Sequence, residues 1–94
     1  MKIPDSIKIG YKTYKIVFAD NELCENGTTY GLINYTNQTI TLNKDNTDEQ
    51  NEAILLHEIL HGIEDICDTE LGEHVVTLLT NALYGVYKDN FKKG

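Results

Sequence analysis

The chain has 94 residues, 15 of them acidic and 8 basic, for a net charge of −7, and 40% of it is apolar. That length holds one domain, residues 1–94, with room for a modest core, and the apolar share fits a globular rather than a disordered chain. Every basic residue is a lysine and the apolar runs are short, so neither a nucleic-acid partner, which wants arginine forks or a basic stripe, nor a membrane span or membrane partner is expected.

From the N-terminus, Met1 to Asp5 carry no apolar signal region, and the cytoplasm is the expected compartment. Cys24 and Cys67 lie far apart outside any C-x-x-C pattern and read as free thiols in a reducing environment. Ile7-Lys8-Ile9 and Thr13 to Phe18 are β-rich runs around Gly10-Tyr11-Lys12, the pattern of a hairpin. Asn21 to Gly27 is polar and ends in the turn dipeptide Asn26-Gly27. Thr28 to Tyr35 and Thr39 to Leu42 form a second pair of strands across Thr36-Asn37-Gln38. The expected sheet is antiparallel, of three or four strands, with one face needing cover.

At Thr47 the period changes. Thr47-Asp48-Glu49-Gln50 is a capping box, with two carboxylates placed at the positive end of a helix that should run from about Asp48 to Ile66. At about 100° per residue, Leu55, Leu56, Ile59, Leu60, Ile63, Ile66 and Cys67 fill one broad apolar arc. His57, Glu58, His61, Glu64 and Asp65 share the opposite arc with Ile54. After the connection Asp68 to Gly72, where Thr69 is a possible cap, a second helix should span about Glu73 to Asn90. Val75, Val76, Leu79, Ala82, Leu83 and Val86 recur at helical spacing and read as its core face, and the last residues, Phe91-Lys92-Lys93-Gly94, as fraying. The order β-β-β-β-α-α gives an α+β class, a small sheet followed by two packed helices.

His57-Glu58-Ile59-Leu60-His61 is the pentad H-E-x-x-H. Residues four apart project from one face of a helix, so both imidazoles can reach one metal ion. Glu58, at the edge of that face, can reach a water beside the metal without being a ligand. A catalytic zinc site takes three protein ligands and keeps one position open. The longer pattern with a third histidine is absent, because Cys67 stands at its place and faces the apolar side. Glu64 lies seven residues beyond His57, about 10 Å along the axis, too far for an ion held between the histidines; it and Asp65 read as solvated or supporting groups. Glu73 and His74, at the start of the second helix, both qualify, and helical phase does not choose between them.

Ile7-Lys8-Ile9-Gly10, Leu55-Leu56-His57-Glu58-Ile59-Leu60-His61, Gly72-Glu73-His74-Val75-Val76, Asn81-Ala82-Leu83-Tyr84 and Lys88-Asp89-Asn90 together resemble the short zincin-like proteins of bacteriophages and prophages, nearly end to end. The resemblance implies a minimal zincin-like fold and a metallopeptidase-type hydrolase site with Zn2+ as cofactor and an acidic third ligand, which falls on Glu73. The expected reaction is hydrolysis of an amide bond in a peptide or protein substrate, with Glu58 as general base toward zinc-activated water. An extended peptide could pair with a free sheet edge such as Thr28 to Tyr35, and Tyr30, Tyr35 or Tyr84 could donate to the oxyanion. The alternative is a non-catalytic, zinc-stabilised module that binds a host or phage partner protein, for which Glu58 is dispensable. A metal-free interaction module with a vestigial pentad is a third, weaker reading.

Overall fold

A computed structural model describes residues 3–20 and 31–92. Strands β1 (Ser6–Ile9) and β2 (Lys12–Ala19) form the first hairpin; β3 (Gly31–Asn34) and β4 (Thr39–Asn43) form the second; helices α1 (Asp48–Ile66) and α2 (Glu73–Asn90) follow. The class is α+β, as the sequence indicates. The expected turn at Asn21 to Gly27, the first residues of the Thr28 to Tyr35 strand, Cys24 and Tyr30 lie outside the described residues.

The sheet order is β1-β2-β4-β3. Both hairpins are antiparallel, but β2 and β4 pair in parallel, with Ile16 opposite Ile40 and Phe18 opposite Leu42. The sheet is therefore mixed, where the sequence suggested antiparallel pairing throughout. Turn signals specify pairing within each hairpin, while the joint between hairpins is set by burial. β4 brings Ile40 and Leu42, both fully buried, and takes an inner position, leaving the glycine-started β3 at the edge.

Strand alternation puts Ile9, Tyr14, Ile16, Ile40 and Leu42 on one face, where Leu55 of α1 completes the core and Ile33, Ile54, Ile59 and Ile66 pack around it. Each such side chain contributes roughly 1.5–3 kcal/mol on burial. Close approach of helix and sheet depends on Gly62: a Cβ there would sit 2.7 Å from Ile9 Cδ1 and 3.4 Å from Ile33 Cδ1.

Polar ties set where α1 begins and ends. The capping box forms, with Gln50 N–H donating to Thr47 Oγ1 at 3.1 Å and Thr47 N–H to Gln50 Oε1 at 2.8 Å. Buried Asn51 donates from Nδ2 to the Asn43 carbonyl at 3.0 Å, fastening the first turn to the end of β4. Lys12 Nζ meets Asp65 Oδ2 at 2.8 Å and holds the last turn to the first hairpin.

Helix α2 packs on α1. Its N-cap is Gly72, at φ +88°, rather than Thr69, whose N–H is taken by the Glu64 carbonyl at 3.0 Å. Val76 and Thr80 are its buried residues; Tyr84 Oη donates to Glu52 Oε1 at 2.8 Å and Lys88 pairs with Glu49 at 3.3 Å. Most of the expected core face is exposed: Val75, Leu79, Leu83 and Val86 lie 38–53% open, with Leu78 at 55%. Helical spacing identifies an apolar arc, but α2 leans on α1 through the neighbouring flank of Glu73, Val76, Thr80 and Tyr84. Nor does the chain fray directly after the helix, because Lys92 Nζ reaches buried Glu52 at 2.6 Å. No helix among the described residues is long and apolar enough to cross a membrane.

Candidate metal centre

One turn of α1 brings His57 and His61 side by side, with their Nε2 atoms 3.2 Å apart. The tight reversal at Gly72 then starts α2 beside that turn, and its first residue delivers a carboxylate to both rings. Glu73 Oε1 lies 2.7 Å from His57 Nε2, and Glu73 Oε2 lies 2.9 Å from His61 Nε2. Each of the three residues thus offers a ligand atom, all within 4.8 Å of one another.

Proton bookkeeping tests whether this group suits a cation. His61 Nδ1 lies 2.6 Å from Glu64 Oε1, an acceptor, so Nδ1 carries hydrogen. In a neutral ring Nε2 is then a lone pair, and it faces the Glu73 carboxylate and the second Nε2. The His61 lone pair and the Glu73 Oε2 beside it at 2.9 Å are both acceptors, and that contact requires either an extra proton or a cation. Two imidazoles bound tetrahedrally at about 2.0–2.1 Å would place their nitrogens about 3.3 Å apart, close to the spacing seen here. The donor set of two imidazoles and one carboxylate suits zinc. The residues fit the ion.

His74, the other candidate, is exposed and stands outside the group, as does Cys67, an exposed free thiol at the C-cap of α1. Asp65 is occupied by Lys12. Glu64 is a supporting group: besides His61, its Oε2 accepts the N–H of Leu71 at 2.7 Å and of Gly72 at 3.3 Å. Those donors, Leu71 first and then His61, hold the Glu64 carboxyl below its usual pKa. Burial alone would lower the His61 pKa, but Glu64, Glu58 and Glu73 raise it on balance.

Glu58 differs from its expected setting on a polar arc. It is 8% exposed, turned toward β3, with its Cγ 3.7 Å from the point where a Cβ on Gly31 would lie. Gly31 opens this space, since a side chain there would collide with Ile54. Burial pushes the Glu58 pKa up; the charges of His57 and His61 pull against that, and Glu73 adds to it.

Tyr30 lies outside the described residues, and Tyr35, just past β3, reaches this region. Its Oη donates to the His61 carbonyl at 3.3 Å, and burial, followed by the Glu64 and Glu58 charges, keeps the phenol protonated well above neutrality. Tyr84 is engaged with Glu52 instead. An open pocket of about 570 Å³ beside His61 is lined by Tyr35, His61, Glu64, Asp65 and Glu73 among others.

Sequence reasoning passed over the detailed roles of Glu64 and Gly31. The three-residue spacing from His61 to Glu64 is a helical contact that could have linked those two. Gly31 left no comparable signal, because its role depends on a strand and a helix distant in the chain. Comparison with protein-family models, with curated proteins and with solved structures gives no match, so function has to be argued from this constellation alone.

Proposed function

We propose that the chain is a zinc-dependent, metallopeptidase-like hydrolase of the short zincin-like kind found in bacteriophages and prophages, cleaving an amide bond in a peptide or protein. One observation carries the reading: two histidine Nε2 atoms and the Glu73 carboxylate converge, and Glu58, next in sequence to His57, is buried with its side chain toward β3. His57, His61 and Glu73 would hold the ion. When bound, zinc supplies Lewis acidity, lowering the pKa of a water to near 7 and polarising a carbonyl.

The remaining steps belong to the chain itself. Glu58 takes a proton from the attacking water and passes it to the departing amine. His61 is held in one tautomer by Glu64. β3, at the sheet edge beside Glu58, offers backbone groups to an extended substrate. In this reading the chain acts in the cytoplasm, in keeping with the free thiol of Cys67.

The test is zinc stoichiometry and peptide-library cleavage by untagged wild type and Glu58→Gln. One zinc per chain in both proteins, with cleavage by the wild type and a loss of about a hundredfold to ten-thousandfold in the variant, is the expected result. Equal cleavage by both proteins removes Glu58 as the base.

A second reading, a zinc-stapled binding module, draws on Glu73 standing on α2 while both histidines stand on α1. An ion there ties the helices together, which is useful in a domain with a small core. Zinc bound by both proteins, with no cleavage by either, favours this module.

A further inference from the structure

Glu64 occupies an uncommon position, because its two oxygens serve different parts of the metal group. Oε1 meets the Nδ1 of His61 at 2.6 Å. Oε2 accepts the backbone N–H of Leu71 at 2.7 Å and of Gly72 at 3.3 Å. Gly72 is the N-cap of α2 and Glu73 follows directly. The Glu64 side chain is 12% exposed. The reversal it grips includes two residues in the left-handed region, Asp68 at φ +49° and Gly72 at φ +88°. A segment bent in this way needs fastening, and the α2 N-terminus has no side-chain cap of its own.

We propose that Glu64 is the positioning residue of the metal centre, setting two of its three ligands with one carboxylate. It fixes the ring and tautomer of His61 directly, and it places Glu73 by clasping the main chain just before it. The inference rests on the metal reading above. Its chemistry is specific to a carboxylate, since both oxygens must accept. In Glu64→Gln one of them becomes an NH2. Turned toward His61, that group forces the ring hydrogen onto Nε2, where the metal belongs. Turned toward the loop, it opposes the Leu71 N–H donor to donor. Supporting partners of metal-bound histidines are typically worth tenfold to a hundredfold in affinity.

The experiment measures zinc affinity by chelator competition for wild type, Glu64→Gln, Asp68→Asn and Glu70→Gln. Each variant removes one negative charge, but Asp68 and Glu70 make no hydrogen bond to His61 or to the entry of α2 among the described residues. Glu64→Gln should bind zinc about tenfold to a hundredfold more weakly, with the other two close to wild type. Equal affinity in Glu64→Gln overturns the inference, and so does an equal loss in all three variants, which would be a general charge effect. A second measurement stands even if Glu64→Gln fails to fold. Imidazole 15N NMR of zinc-loaded wild type should show His61 protonated at Nδ1 and metal-bound through Nε2; the reverse assignment overturns the proposal. Should wild type take up no zinc at all, the metal reading falls and this inference with it, an outcome distinct from a tight wild type with an equally tight variant.

Discussion

The two helices are nearly equal in length, 19 and 18 residues, and both carry apolar residues at helical spacing, yet the fold uses them differently. Helix α1 lies between the sheet and α2, and even its polar residues Asn51, Glu52 and Glu58 are buried. Helix α2 commits one flank to α1 and leaves Val75, Leu78, Leu79, Leu83 and Val86 exposed, an arc of about 140°. The chemistry follows the same division. His57, Glu58, His61 and Glu64 stand on the enclosed helix, where packing on both sides restricts their rotamers, and α2 contributes its first residue alone. A site built on a doubly supported element keeps its geometry better than one on an element held from one side.

The sharpest way to break this comparison is at the ends of the metal group. If α2 matters to the site through Glu73, then Glu73→Ala should weaken zinc binding strongly while His74→Ala, one residue on and exposed, leaves it nearly intact; titration of both variants with zinc decides. A damaging His74→Ala would mean that α2 docks in another phase.

Packing comes next. Leu55→Ala removes a fully buried side chain facing the sheet and should cost about 2–5 kcal/mol. Leu78→Ala, on the open arc of α2, should change stability by no more than about 0.5 kcal/mol. Urea unfolding of the two variants measures the contrast directly. Similar losses would show that the arc is covered in solution.

Glu52 joins the helices away from the metal group. It is 1% exposed; burial would raise its pKa, but hydrogen bonds from Lys92 and Tyr84 hold it down to about 2. The folded pKa lies below the unfolded one, so this stabilisation is complete above about pH 4.5 and is lost as pH falls toward about 2. In that window the unfolded chain takes up a proton that the folded chain refuses. Glu52→Ala should cost about 2 kcal/mol near neutrality and flatten the acid limb of the stability curve; denaturant midpoints between pH 5 and pH 2 test it. An unchanged acid limb would assign acid unfolding to other carboxylates.

One further expected change has the opposite sign. Thr80, buried in the α2 flank, has a hydroxyl without a hydrogen-bond partner among the described residues. Thr80→Val should stabilise by about 1 kcal/mol, seen as a raised melting temperature. A lowered one would mean that the hydroxyl finds a partner in solution.

Several features were legible because their physics is local. The Thr47–Gln50 capping box, the extent of both helices and the shared face of His57 and His61 all depend on residues within a turn or two of one another. Strand placement in the two hairpins follows from alternation and turn chemistry in the same way. The preference for Glu73 over His74 came instead from the family resemblance, since helical phase is neutral between them; the Glu73 carboxylate lies beside both rings.

Other features depend on contacts between distant segments, and the tertiary structure decided them. The parallel joint of β2 with β4 arises because two complete hairpins compete for the inner position and Ile40 and Leu42 gain most by burial there. Glu58 reads as a surface residue until β3 presents Gly31, whose missing side chain leaves room for it. The apolar arc of α2 is evident from its period, but a period says only that a face exists. Which flank meets α1 is set by the Gly72 reversal, the Glu64 clasp and the Glu52–Tyr84 bond together. Local rules determined the elements and the paired histidines; the angle at which one helix meets the other, a sum of many contacts distant in sequence, determined the completed group.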